Sequence, residues 1–168
     1  MTTRLPPTAP LVQAALSRIP DTLGLYGALA GKHILITGGT GFFGKWVLAL
    51  LYRLNAGSAG IRVSVVSRDP QAFLASHPHY RQCDWLSWLH CDVRDLHHQP
   101  GCATDLVLHA ATETNARAHA RPLEIFDTIL DGTRSVLMYA TNNGARRILL
   151  TGTGAQYGTI PDGEPARE

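Results

Sequence analysis

Five short apolar or β-branched runs alternate with helical patterns along this chain, which predicts an α/β fold with a doubly wound, parallel sheet of about five strands. Two further observations support it. A glycine-rich turn joins the first run to the helical pattern after it. The residues with chemistry to offer also fall just after the runs, where ligands bind in such a sheet.

Residues 1–10 carry three prolines and read as an irregular arm. Leu11, Val12, Ala15, Leu16, Ile19, Leu23 and Leu25, interrupted by Pro20-Asp21, fit two short helices, the second capped by Asp21. Together these make an N-terminal helical extension over 1–30. Gly31 marks the entry to the first strand, Ile34-Leu35-Ile36, whose unbroken apolar run suits burial on both faces. A helix is expected from Phe42 to Asn55, with Phe43, Trp46, Val47, Leu50 and Leu51 at spacings of three and four, ended by Gly57-Ser58-Ala59-Gly60. Arg62-Val63-Ser64-Val65-Val66 is a β-branched second strand. A weak helix covers Pro70 to Ser76, a loop 77–85, and a third strand Trp85 to Cys91. Asp105-Leu106-Val107-Leu108-His109 forms the fourth strand. Leu123, Phe126, Ile129, Leu130, Thr133, Val136, Leu137 and Ala140 define a long helix from Pro122 to Asn142, closed by Asn143-Gly144. Arg147 to Thr151 is the fifth strand. The main domain thus spans 31–160, and 161–168 is an irregular tail with two prolines.

Composition narrows the class. With 168 residues, 45% hydrophobic and 17% charged, the chain is globular and long enough for one substantial core. A net charge of +2 with no run of Lys or Arg does not suggest nucleic acid. No apolar stretch approaches the ~18 residues of a membrane span. Met1 to Pro10 lacks the plan of a signal peptide. Cys83, Cys91 and Cys102 are odd in number and without metal spacing, so a reduced, cytoplasmic protein is the expectation. His77, His79, His97 and His98 read as solvated loop residues, with no metal site.

The turn Thr37-Gly38-Gly39-Thr40-Gly41-Phe42-Phe43-Gly44 follows a strand and opens a helix. Glycines at 38, 41 and 44 suit a dinucleotide pyrophosphate: one permits the tight turn, one lets backbone N–H groups approach the phosphates, one lets helix and strand pack closely. The helix N-terminus adds free donors and partial positive charge. After the second strand stand Ser67 and Arg68, a hydroxyl and a guanidinium suited to a 2′-phosphate, which favours NADP over NAD. A shift of register would instead bring Asp69 to the ribose, and Arg68 would then be an ordinary turn residue. Asp92, after the third strand, can accept a bond from an adenine amino group, cap the next turn with Asp95, or do both; Val93 follows it. Ala110, Ala111 and Thr112 keep the fourth strand end small where a cofactor must pass.

These motifs, with Asp92-Val93-Arg94-Asp95, His109-Ala110-Ala111-Thr112 and Thr151-Gly152-Thr153-Gly154-Ala155-Gln156-Tyr157-Gly158, resemble the extended branch of the short-chain dehydrogenase/reductase superfamily. That branch holds the NAD(P)-dependent nucleotide-sugar epimerases and dehydratases. The resemblance covers roughly 30–160 and implies a Rossmann fold, here truncated after about five strands. It implies that Thr153 is the catalytic Ser/Thr position, orienting the sugar and bonding the reacting oxygen. Thr112 and Glu113 stand where related enzymes approach the sugar. Tyr157 matches a Tyr-Gly pair rather than the catalytic tyrosine, and Gly152 replaces a frequent serine. The family's Tyr-x-x-x-Lys pair has no match: Lys32 and Lys45 are the only lysines, and Pro161 stands four residues after Tyr157.

The expectation is therefore the NAD(P)-binding portion of a nucleotide-sugar epimerase or 4,6-dehydratase, inactive as it stands. A nucleotide-sugar substrate and a homodimer, built through two long helices, belong to the full-length protein. No nucleic acid or membrane is expected as a partner. A natural short form that binds dinucleotide without chemistry, and a reductase of a non-sugar substrate, are the alternatives.

Overall fold

The structure, a computed structural model, describes residues 6–19, 24–112 and 121–153. Five strands form one parallel sheet in the order β3-β2-β1-β4-β5, with β1 at His33–Thr37, β2 at Arg62–Ser67, β3 at Leu86–His90, β4 at Leu106–His109 and β5 at Arg147–Leu150. The helices are α1 (Pro10–Leu16), α2 (Leu25–Leu29), α3 (Phe42–Ala56), α4 (Pro70–Ser76) and α5 (Pro122–Asn142). Every strand-to-strand crossover starts and ends in a parallel strand, so all five carboxyl ends lie along one edge of the sheet. This is the doubly wound Rossmann arrangement.

Strand periodicity divides the core. Ile34 and Ile36 of β1, with Val63 and Val65 of β2, face Leu48 and Leu51 of α3. Leu35, Val66 and Val107 face the other way, against Val136, Tyr139 and Ala140 of α5. All of β1 is buried, as a strand covered on both faces must be. At the opposite strand ends the buried His33 ring is satisfied by the Ala103 carbonyl at 2.7 Å and the Ser64 hydroxyl at 2.9 Å.

Several expectations change. The second short helix is entered through Gly24 at φ 60°, so Asp21 is not its cap; Asp21 itself lies outside the described residues. The face that α3 turns to the sheet carries Gly44, Leu48 and Leu51, while Phe43 and Trp46 are exposed. The reason is that α3 has a second apolar neighbour: Ala49 packs with Val12 and Leu16 of α1, and Leu50 joins them. Between the two helices lies an apolar cleft of about 270 Å³. Likewise α5 buries Gly132, Ser135, Val136, Tyr139 and Ala140, leaving Leu123, Phe126, Ile129, Leu130 and Leu137 exposed. The loop expected at 77–85 contains a 3-10 helix, Pro78–Gln82, and a second one spans Val93–His98. His77 is not a solvated residue. It is buried and stacks on Phe73 with ring centroids 4.2 Å apart. His79 Nε2 is also enclosed, and His97 bonds to Ser135.

Among the described residues no helix is long and apolar enough to cross a membrane, and no group of three or more His, Cys, Asp or Glu side chains is placed to hold a metal ion.

Candidate functional site

The site is assembled at the carboxyl edge of the sheet, and its centre is the turn after β1. Gly38 adopts φ 73°, the left-handed region that glycine enters without strain. A Cβ on Gly38 would strike the carbonyl of Ala110, and one on Gly44 would strike the carbonyl of Gly38 and the backbone of Gly39. The end of β4 and the first turn of α3 thus close on the glycine turn from two sides with no room for a methyl group. Gly41 differs. It is the N-cap of α3 at φ −75°, its N–H donates to the Gly38 carbonyl at 3.0 Å, and nothing but that carbonyl stands near its Cβ position, at 3.1 Å. No side chain caps α3, and its first turn holds no acidic residue. The N-terminus of a 15-residue helix therefore keeps its donors and positive potential available to an anion. Thr40, Phe42 and Phe43 complete the turn, the two phenylalanine rings edge to face and exposed.

At the end of β2, the Ser67 hydroxyl accepts the Asp69 N–H at 3.2 Å. The Asp69 carboxylate is engaged as the cap of α4, accepting the Ala72 N–H at 2.9 Å. Arg68 is exposed, its carbonyl accepting from His90 Nε2 at 2.9 Å. After β3, Asp92 caps the 3-10 helix through the Arg94 N–H at 2.9 Å, and the Arg94 guanidinium closes on both carboxylate oxygens, at 2.9 and 3.1 Å. This bond, aided by the positive charges of Arg94 and Arg68, holds the Asp92 carboxyl below its ordinary range. Val93 is buried against α5, where Gly132 leaves it space: a Cβ there would come within 3.0 Å of a Val93 methyl.

At the end of β4, His109 is buried and bonded through both ring nitrogens, to Thr37 at 2.6 Å and Thr133 at 3.2 Å. The Ala110 and Ala111 amides donate to the Thr37 hydroxyl at 3.2 and 3.1 Å. Thr112 is exposed. At the end of β5, Thr151 donates its N–H to the His109 carbonyl at 3.0 Å, and Thr153 is exposed beyond it. Glu113 and residues 154–168, with Tyr157, lie outside the described residues.

The fold thus brings the turn at 38–44, residues 67–68, 92–93 and 110–112, and Thr153 to one edge. Sequence reading missed the roles of three residues. Arg94 lies within a motif already noted, yet its grip on Asp92 depends on side-chain geometry. Thr37 and Thr133 reach His109 from 72 and 24 residues away, a meeting with no local signal.

Comparison with known proteins shows the kinship of this fold. Residues 34–168 match the model of the NAD dependent epimerase/dehydratase family. The chain is 31% identical over 130 residues to the UDP-N-acetylglucosamine 4,6-dehydratase (inverting) of Campylobacter jejuni subsp. jejuni serotype O:23/36 (strain 81-176), covering 73% of this chain and 36% of that protein. Among solved structures, an epimerase from the methanogen Methanothermobacter thermautotrophicus superposes with TM-score 0.64 at 22% identity, over 84% of this chain and 41% of its own. A dTDP-glucose 4,6-dehydratase double mutant from Streptomyces venezuelae, solved with NAD bound, gives TM-score 0.61 at 25% identity, over 80% and 45%. An α/β dinucleotide-type fold with an open helix N-terminus at its switch point therefore has a definite kinship. The chain belongs to the NAD dependent epimerase/dehydratase family, whose cofactor is a nicotinamide dinucleotide. It spans less than half the length of these relatives.

Proposed function

We propose that this chain is the dinucleotide-binding portion of a nucleotide-sugar epimerase or 4,6-dehydratase and that it prefers NADP to NAD. The observation that carries the reading is the cradle itself: Gly38 and Gly44 leave no space for a Cβ, and Gly41 opens an uncapped 15-residue helix. A pyrophosphate needs both close backbone approach and unpaired donors, and the turn supplies them together. When bound, the cofactor supplies a hydride acceptor for a sugar carbon and then a donor.

This chain's residues do the holding. Gly38, Thr40, Gly41, Phe42, Phe43 and Gly44 surround the pyrophosphate. Asp92, kept ionised by Arg94, accepts from the adenine amino group, and Val93 borders the ring. Ala110, Ala111 and Thr112 let the cofactor pass the end of β4. Thr153 orients the sugar and hydrogen-bonds the oxygen at the reacting carbon. The NADP preference rests on Ser67 and Arg68 at the ribose, and on the engagement of Asp69 with α4, which removes the carboxylate that would favour a free 2′-hydroxyl.

Titration calorimetry with NADP and NAD tests the cofactor reading. NADP is expected to bind more tightly, and Ser67→Asp with Arg68→Asn to reverse the order. Tighter NAD binding by the unaltered chain would refute it.

The 168 residues contain no tyrosine followed four positions later by lysine. This supports a second reading, that these residues alone bind dinucleotide and, in a longer polypeptide carrying such a pair, turn over a UDP- or dTDP-sugar. Incubating both forms with NADP and UDP-N-acetylglucosamine decides it: turnover by the 168 residues alone, or by neither, would count against it. The exposed apolar stripe of α5 supports a homodimer of the longer protein.

A further inference from the structure

The hydrogen bonds around Thr37 have a single consistent assignment. A hydroxyl has one hydrogen to give and two lone pairs to receive. The Ala110 and Ala111 amides, which can only donate, approach it at 3.2 and 3.1 Å, the Ala110 N–H being shared with the Thr37 carbonyl at 3.2 Å. Among the described groups that touch this hydroxyl, His109 Nδ1, 2.6 Å away, is the one able to accept, so the hydroxyl hydrogen goes there. A nitrogen that accepts carries no proton, so the ring proton is on Nε2, where it donates to the Thr133 hydroxyl at 3.2 Å. An imidazolium would place a second hydrogen on the short Thr37 contact and break the set. The neutral Nε2–H form is the one that satisfies every partner.

This chain of bonds ties two strand ends that border the cradle to a helix. Thr37 is the last residue of β1 and precedes Gly38. Ala110 and Ala111 directly follow β4, and the Ala110 carbonyl is the wall that Gly38 rests on. Thr133 belongs to α5. We propose that His109 is a positioning residue for cofactor binding: fixed as the Nε2–H tautomer, it locks the ends of β1 and β4 to α5 and so sets the width of the cradle between Gly38 and Ala110. The second half of this statement rests on the dinucleotide reading; the lock does not.

The surroundings of the ring favour the neutral form. Its facing groups are hydroxyls, Thr37 from β1 and Thr133 from α5, while Thr151 after β5 bonds to the His109 carbonyl. The nearest charged residues along α5, Asp131 and Arg134, pair with each other at 3.4 Å in solvent. Burial holds the imidazole below its ordinary value, with no charged neighbour contributing.

Two measurements test the proposal on the whole chain. The first uses the unaltered protein without cofactor. Long-range proton–nitrogen spectra of the histidine rings should show His109 with a bare Nδ1 and a protonated Nε2, and its titration should fall below the ordinary histidine value of about 6.5. A protonated Nδ1, or titration at the ordinary value, would overturn the lock. The second compares His109→Phe with His109→Asn, whose side-chain oxygen stands near the place of Nδ1. In His109→Phe the Thr37 hydroxyl loses its acceptor, so amide exchange at Ala111 should accelerate and NADP affinity fall about tenfold. His109→Asn should recover most of both. Unchanged exchange in His109→Phe would sink the lock. Faster exchange with undiminished NADP affinity would show that the lock does not set the cradle. If the unaltered chain binds no nicotinamide dinucleotide, the dinucleotide reading and the cradle role fall together, while the spectra and exchange rates still judge the lock.

Discussion

Gly38 sits at φ 73° with the Ala110 carbonyl against its missing side chain, and Gly44 is pressed in the same way against the Gly38 carbonyl. Alanine at either position forces backbone to move, and at Gly38 it also enters the left-handed region, so each replacement should cost about 2–4 kcal/mol in a denaturant unfolding curve. Gly41 has an ordinary φ of −75° and open space around it apart from one carbonyl. Gly41→Val should therefore cost only about 1 kcal/mol, the loss of a favourable N-cap. Its side chain would nevertheless enter the path assigned to the pyrophosphate, and calorimetry should detect no binding of NADP or NAD. Unaltered affinity in Gly41→Val would mean that the pyrophosphate lies elsewhere. The three glycines look alike in sequence, but two are required by the fold and one by the proposed ligand.

Helix α4 is short, with Pro70 at its first position and the Asp69 carboxylate on the Ala72 N–H. Asp69→Ala should cost about 1 kcal/mol in stability. It should leave the ratio of NADP to NAD affinities unchanged, because the carboxylate is turned into the helix. A shift of that ratio toward NADP would place Asp69 at the ribose instead. The long helix α5 poses a different problem. Leu123, Phe126, Ile129 and Leu130 form an exposed apolar stripe along its first half. Sedimentation at increasing concentration should show self-association, and Phe126→Ser with Leu130→Ser should weaken it with little change in thermal stability, since neither side chain is in the core.

Two buried or enclosed imidazoles couple the whole molecule to pH. His109 is held below its ordinary value by burial, and His79 by burial and then by the nearby His77. Both are harder to protonate in the folded chain than in the unfolded chain, which protonates them below about 6.5, so there the unfolded state binds more protons. Their contribution to stability is full above that value and is lost as pH falls from it through the lower folded values. Melting temperature should drop on acidification across this window. His79→Gln should flatten part of the drop, since among the described residues its Nε2 has no partner to lose. A melting temperature that held constant through the same window would contradict the burial argument for both rings.

Much of this architecture was legible in the chain. Strand and helix periodicities placed all five strands and the helices after β1 to within a residue or two, and Pro70–Ser76 and Pro122–Asn142 without error. Strand-turn-helix order around Gly38, Gly41 and Gly44 located the tight turn between β1 and α3, because backbone geometry near a turn is a local property. The faces of α3 and α5 were not legible. Each helix carries more apolar residues than one interface uses, and whether Trp46 or Leu48 meets the sheet depends on where α1 docks. The bland reading of the histidines failed for a similar reason: His77 becomes buried when the 3-10 helix folds its ring onto Phe73. By itself the sequence determined the order of elements, the parallel sheet and the edge that gathers the strands' carboxyl ends, since these follow from short-range pattern and the chirality of crossovers. Tertiary structure alone decided that Asp69 caps a helix, that Arg94 grips Asp92, and that Thr37, His109 and Thr133 form one chain of bonds. Those choices depend on which lone pairs and hydrogens meet across strands and helices far apart in sequence.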